Sequence, residues 1–259
     1  MRACIDSLLS IMPEDLQTLL TSEELTSEDL LARVLHRDGL MLVLNKPAGI
    51  PVHRGPKGGD NLEAHFDVLR FGLPKPPALA HRLDKDTSGC LVLGRHHKAT
   101  QALGKLFKDG LVSKTYWAIV EDGPDGDAGL IDLALGRLDA KRGWWMKVDP
   151  FGQPSQTRWT VLGRGMFEGN PIAWMALEPL TGRTHQLRVH SSSMGWAIVG
   201  DQIYGAYGPG EGPGLQLHAR TITIPMQKNK EPVRICAPAP DHILERLKAC
   251  GFKGEDQAA

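Results

Sequence analysis

The chain has 259 residues with 30 basic and 30 acidic side chains, so its formal net charge is zero, and 41% of its residues are apolar. That composition fits a globular protein with a substantial core and argues against a disordered or uniformly polybasic chain. The four cysteines, Cys4, Cys90, Cys236 and Cys250, form no C-x-x-C pair, which argues against both a structural zinc site and a disulfide scaffold.

The charge is unevenly spread. Residues 1–38 hold eight acidic and three basic side chains, leaving 27 basic and 22 acidic in the remainder. The body is therefore mildly basic, although a mixed solvated surface would give the same count. There is no basic segment followed by an apolar run at the N-terminus and no apolar stretch of membrane-spanning length, so a cytoplasmic protein without a membrane partner is expected.

In chain order, residues 1–38 read as a helical extension in two pieces. Pro13 starts one, and Ser27 caps the other, with Glu28 and Asp29 in its first turn and Leu30, Leu31, Val34 and Leu35 as its apolar positions. Met41 to Leu44 reads as a strand that breaks at Asn45-Lys-Pro-Ala-Gly49. Asp60 or Asn61 caps a helix carrying Leu62, Phe66 and Leu69. Cys90 to Leu93 reads as a buried strand, His97 to Asp109 as a helix stopped by Gly110, and Lys114 to Val120 as a strand. Further strands are expected at 129–135, 157–162 and 172–177, and a helix at Thr184 to Met194. The Gly- and Pro-rich stretch 205–214 is a loop. Leu215, Leu217, Ala219, Thr221 and Thr223 alternate as in a half-buried strand, Asp241 opens a last helix through Leu247, and 252–259 reads as a flexible tail. Many short strands with few helices between them imply an α+β fold on a mixed, mostly antiparallel sheet.

Two segments concentrate polar chemistry. The first is His81-Arg-Leu-Asp-Lys-Asp-Thr-Ser-Gly89, which runs straight into an apolar strand. Its residues alone fit either a catalytic mouth or a solvated turn whose aspartates bond local N–H groups. The second is Thr181-Gly-Arg-Thr-His-Gln-Leu-Arg-Val-His190. There Gly182 permits a tight turn, Thr184 caps a helix, and Arg183 stands at the helix start, where a carboxylate or phosphate is favoured. An ordinary capped helix with a basic face reads equally well. His185 and His190 are five apart, off the spacing of helical metal ligands.

Five ordered segments make a resemblance specific. His81 to Gly89 resembles the H-R-L-D-x-x-T-S-G signature of the RluA-type pseudouridine synthases. Leu44 to His53 resembles that family's N-K-P-x-G loop, and Lys114-Thr-Tyr-Trp-Ala118 its K-x-Y-x-A strand. Gly182 to His190 is similar to G-R-T-H-Q-[IL]-R-x-H, and Gly195 to Tyr204 to G-x-P-I-x-G-D-x-x-Y. The likeness spans roughly 40–225. Ala197 replaces the family's proline, the 205–214 loop is distinctive, and residues 1–38 do not look like the S4 RNA-binding domain of many relatives.

The resemblance implies a pseudouridine synthase fold with a catalytic cleft across the sheet, a catalytic domain at 39–251, and isomerisation of uridine in structured ribosomal or transfer RNA. No cofactor and no metal are expected, and a monomer is the default. The implied catalytic residues are Asp84, with Arg183 as its ion-pair partner, and Tyr116, which stacks on the base and is a candidate base for the C5 proton. His81, Arg82, Lys114, Leu187 and Arg188 are implied substrate contacts: Lys114 to depress the tyrosine pKa or pair with Asp84, and Arg82 to fill the space a flipped uridine leaves. Lys46, Arg54, Lys57, Lys141, Arg142 and Arg188 are candidate phosphate contacts, and Trp144 and Trp145 either stack on bases or close the core. Two rival readings stay open: a metal hydrolase using His81, Asp84, His185, His190 and His218, and a non-catalytic RNA-binding protein on the same scaffold.

Overall fold

A computed structural model describes residues 26–55, 58–139, 144–227 and 229–254. The chain divides into residues 1–32 and 33–259. In the first unit the described element is helix α1 (Ser27–Ala32). Its cap is Thr26 rather than Ser27: the Asp29 amide donates to Thr26 Oγ1 at 3.1 Å, and Asp29 Oδ2 accepts from the Thr26 amide at 3.1 Å. The helix start expected at Pro13 lies outside the described residues, as do Lys57, Lys141 and Arg142.

In the second unit the chain runs through β1 (Val34–Arg37), β2 (Met41–Lys46), a 3-10 helix (Leu62–Arg70), β3 (Ala78–Leu79), β4 (Ser88–Gly94), α2 (His97–Lys108) and β5 (Ser113–Glu121). It continues through β6 (Ala128–Asp132), β7 (Leu135–Arg137), β8 (Met146–Val148), β9 (Gln156–Phe167) and β10 (Asn170–Pro179). It ends with α3 (Gln186–Ser193), β11 (Leu217–Ile224), β12 (Val233–Cys236) and α4 (Asp241–Ala249). Ten strands form one sheet in the order β1-β2-β4-β11-β5-β10-β9-β6, with β3 beside β4 and β12 beside β11, while β7 and β8 form a separate hairpin. All pairings are antiparallel except β11 with β4. The α+β fold on a mostly antiparallel sheet is thus present.

Residues 34–37 are strand, not a continuation of the helical extension expected to reach 38. Val34 and Leu35 satisfy a helical period, but pairing with β2, Val34 opposite Leu44 and Arg37 opposite Leu42, gives that backbone its hydrogen-bond partners instead. The expected strands at 157–162 and 172–177 are the middle of a much longer hairpin. Its turn uses Glu168 and Gly169, both with positive φ, the geometry of a tight two-residue connection. Asn61, not Asp60, caps the 3-10 helix, accepting from the Ala64 amide at 3.2 Å.

Strand alternation sorts the core into two clusters. Trp117, Ile119, Ile172 and Trp174 face α4, with Ile243, Leu247 and Phe252. Trp117, Trp174 and Phe252 meet edge to face at 4.8–5.5 Å, and burying each such side chain contributes roughly 1.5–3 kcal/mol. Phe252 is therefore core and not part of the tail expected from 252; residues 255–259 lie outside the described residues. On the opposite face, Ala118, Val120, Ala173, Met175 and Leu177 pack with Leu187 of α3, and Tyr116 joins that cluster. With a side-chain period of two, Lys114 shares the face of Tyr116. This is the face on which a cavity opens.

Candidate active site

The segment between β3 and β4 carries Asp84 to the edge of that cavity, and its position is fixed from both ends. Lys46, only 1% exposed, donates to three carbonyls: Pro47 at 2.7 Å, Lys85 at 2.8 Å and Thr87 at 3.0 Å. Three acceptors match the three donors of an ammonium. Burial pushes this amine down to about 7, against the pull of the Asp86 and Asp84 carboxylates. Lys46 is thus an internal tie, not the phosphate contact expected from its motif. At the other end Gly89 has φ +104, and a Cβ there would lie 2.3 Å from the Ala219 carbonyl oxygen, so β4 and β11 approach closely only because this residue is glycine.

His81 does not face the cavity as a free base. Its Nε2 accepts from the Val92 amide at 3.0 Å and its ring stacks on Phe107 at 4.3 Å. Burial, with the Lys114 charge added, pushes it down to about 3, so it is a neutral strut. Arg82 is exposed at the rim. Thr87 is buried beside Asp84, and among the described residues its hydroxyl has no partner.

The arginine that faces Asp84 is Arg188, not Arg183. Arg188 Nη1 lies 3.7 Å from Asp84 Oδ2, while Arg183 is exposed and donates from Nε to the Pro154 carbonyl at 3.2 Å. The local backbone explains the exchange. The expected cap at Thr184 is not used: His185 takes a left-handed conformation, φ 52, and the helix begins at Gln186. Gln186 holds the turn by accepting from Thr181 Oγ1 at 2.7 Å and the Arg183 amide at 3.0 Å, and by donating to the Gln156 carbonyl at 2.8 Å. Arg183 is left at the exposed mouth of the cavity, and Arg188 lies on the inward face of the first turn. Gly182 itself needs no glycine, since its φ is not positive and nothing lies within 4 Å of a Cβ there.

Arg188, expected as a substrate or phosphate contact, lines the cavity but is held by a carboxylate of its own. It is 5% exposed and gives two 2.7 Å hydrogen bonds to Asp201, from Nε and Nη2. Burial opposes its charge, but the Asp201 and Asp84 carboxylates outweigh burial and hold its pKa above the ordinary arginine value. Burial likewise raises Asp201, and Arg188 overrides it, so Asp201 titrates below the ordinary range. Asp201 Oδ1 also accepts the Ile203 and Tyr204 amides at 2.9 and 3.1 Å.

His185 Nε2 lies 3.8 Å from Asp84 Oδ2, and its Nδ1 meets the Tyr204 hydroxyl at 2.7 Å. That oxygen already accepts the Met146 amide at 2.9 Å. With one acceptance already made, the Tyr204 hydroxyl is free to donate to Nδ1, and in that tautomer the imidazole proton sits on Nε2, toward Asp84. Burial lowers the His185 pKa even against the Asp84 charge, which agrees with a neutral ring.

Tyr116 stands across the cavity. Burial first, then the Asp84 charge, raises its pKa, so it rests as a neutral phenol. Lys114 therefore does not depress it as expected, and burial lowers the lysine itself. Leu187 completes an apolar wall. The cavity measures about 400 Å³ and brings together Asp84, Tyr116, Leu187, Arg188, Lys114 and Arg82. It pairs a carboxylate with a buried cation and an aromatic face, a setting for a planar ligand beside a developing positive centre.

The histidines of the rival hydrolase reading do not converge. His190 bonds Thr157 Oγ1 and the Leu133 carbonyl, and His218 bonds Ser88 Oγ and the Ala237 carbonyl. Among the described residues no three His, Cys, Asp or Glu side chains are placed to hold a metal ion. Nor, among them, is any helix long and apolar enough to cross a membrane. Sequence reasoning missed Lys46, Gln186, Asp201 and Tyr204 as positioning residues, although all four stand inside the motifs quoted above.

Residues 40–193 match the family model described as RNA pseudouridylate synthase. An uncharacterized RNA pseudouridine synthase of Zymomonas mobilis is 40% identical over 210 residues, covering 80% of this chain and 94% of the relative. Ribosomal large subunit pseudouridine synthase C of Haemophilus ducreyi is 35% identical, covering 83% and 69%. Among solved structures, human RNA pseudouridylate synthase domain containing 1 superposes with a TM-score of 0.71 at 30% identity, covering 91% of this chain and 95% of that one.

Proposed function

The chain belongs to the RNA pseudouridylate synthase family and is an isomerase of its RluA type, and from that premise we propose that Asp84 carries the reaction on a uridine of structured RNA, ribosomal RNA first. The observation that supports this most is the Asp84 carboxylate 3.7 Å from a buried arginine at the edge of a cavity faced by Tyr116. The reaction breaks the bond between uracil N1 and the ribose and forms one between C5 and the same sugar carbon. C5 loses a proton and N1 gains one, so the balance needs no oxidant, reductant or nucleotide.

In this reading the target uridine is flipped into the cavity at a cost of a few kcal/mol, with Arg82 at the rim to fill the vacated stack. Asp84 adds to, or electrostatically supports, the sugar carbon as the base departs. Arg188 keeps that carboxylate charged and oriented, and His185 offers its Nε2 proton to the same oxygen. Tyr116 and Leu187 hold the freed ring while it turns. As a neutral phenol, Tyr116 takes the C5 proton only if its own hydroxyl proton leaves at the same time, with Asp84 as the nearby acceptor. Ribosomal RNA is favoured because a relative bears that substrate in its name, and transfer RNA is the second candidate. A monomer acting in the cytoplasm completes the proposal.

The test is a pseudouridine map of total RNA from a strain lacking the gene, complemented with wild type or Asp84→Asn. Loss of one or a few sites, restored by the wild type alone, is expected, and their location names the RNA. Restoration by Asp84→Asn removes Asp84 from its assigned role.

A further inference from the structure

A second cavity, of about 570 Å³, opens beside the catalytic one and shares Arg82, Gly182, Arg183 and Thr184 with it. Its other walls are the β7–β8 hairpin and the turn that follows. We propose that this is a second nucleotide site, where an unpaired base flanking the target stacks on Phe151 and Trp144 while Arg82, Arg137 and Arg183 hold its phosphates. The proposal rests on the reading of the first cavity as a uridine site and extends it along the strand.

Phe151 is the most unusual residue of this wall, because its side chain is 98% exposed. The turn that displays it is firmly held. The Phe151 amide donates to Asp149 Oδ1 at 3.0 Å and the Gly152 amide to the Asp149 carbonyl at 2.8 Å. Leu135 and Gln153 exchange amide-to-carbonyl bonds of 2.9 and 2.8 Å. A Cβ on Gly152 would lie 2.4 Å from the Leu135 backbone, so the turn sits flush against β7. A large apolar ring is thus presented to water on a fixed platform, which is how a stacking surface is preorganised.

Trp144, 56% exposed, stands edge-on to His185 at 5.5 Å, and so joins this cavity to the imidazole beside Asp84. The three arginines line the space, and among the described lining residues there is no carboxylate. Aromatic faces beside three guanidinium groups fit a base and its phosphates, and the nearby Asp149 carboxylate is engaged by the Phe151 amide. Continuity with the first cavity makes the occupant a neighbour of the target on the same RNA strand. A basic segment would find no anionic complement here.

The full chain is irradiated at 254 nm with total RNA from the strain lacking the gene, and nucleotide adducts are mapped on its peptides. Adducts on both the Trp144–Phe151 segment and the Tyr116 peptide are expected. In parallel, Phe151→Ala weakens binding of a uridine hexanucleotide about tenfold, the scale of one base stacked on one ring, and full exposure of Phe151 keeps the fold out of that result. Adducts confined to Tyr116, with the hexanucleotide bound equally by Phe151→Ala, overturn the second site and leave the catalytic reading standing. Absence of any Tyr116 adduct, with binding unchanged in Tyr116→Ala, removes the catalytic reading and this inference with it.

Discussion

Arg188 and Asp201 are locked by two 2.7 Å hydrogen bonds, both groups almost fully buried, and the remaining nitrogen of that guanidinium is the one that faces Asp84. The pair fixes the direction of the charge offered to the catalytic carboxylate. Bidentate geometry is what makes arginine, and not lysine, suitable there.

Arg188→Lys should therefore lower kcat by about 100-fold or more, because a single ammonium cannot satisfy Asp201 and face Asp84 together. Arg183→Ala should mainly raise KM, with kcat moving less than about tenfold. Steady-state kinetics on the mapped RNA separates the two. The reverse ranking would restore Arg183 as the partner of Asp84.

Asp201→Asn removes one partner of a buried pair and should cost about 3–5 kcal/mol of stability near neutrality. The pH dependence has a definite sign. Asp201 titrates below its ordinary 3.8 when folded, so its contribution is full above about pH 4 and is lost as pH falls through the lower, folded value. Chemical denaturation between pH 3 and 7 should show a shallower acid decline in Asp201→Asn than in wild type. Parallel declines would show that other carboxylates carry it.

Lys46→Met leaves the carbonyls of Pro47, Lys85 and Thr87 without their donor. Unsatisfied buried acceptors of this kind cost about 1–3 kcal/mol each when water cannot reach them. The melting temperature should fall, and kcat should drop about 100-fold through displacement of Asp84, with KM little changed. A folded variant with unchanged kcat would show that the loop holds its shape without this tie.

Tyr116 should ionise later than a free phenol, because burial and Asp84 both raise its pKa. In an alkaline titration followed at 295 nm, Tyr116→Phe should remove no absorbance at pH 10 while the protein stays folded. A loss at that pH would mean a phenolate is available as a resting base.

Much of this was legible in advance, and the failures share a cause. The motif from His81 to Gly89 placed Asp84 at the mouth of a buried strand, and period two placed Lys114 with Tyr116, because those relations are local. Which of two arginines five residues apart meets the carboxylate is not local. It depends on a left-handed His185 and on Gln186 reaching across to β9. Val34 to Arg37 failed similarly, since a helical period was overridden by pairing with β2. The Gly89 requirement is invisible until β11 lies against it.

The position of β11 also dictates an order of assembly. It lies between β4 and β5, yet it is translated well after both. Until residues 217–224 leave the ribosome, the two halves of the sheet have no shared strand, and the one parallel pairing among the described residues, β11 with β4, is a long-range closure that pays its entropy late. Asp84 and Tyr116 sit on opposite sides of that gap. The catalytic centre is therefore not joined across the sheet until β11 docks between the strands that flank it.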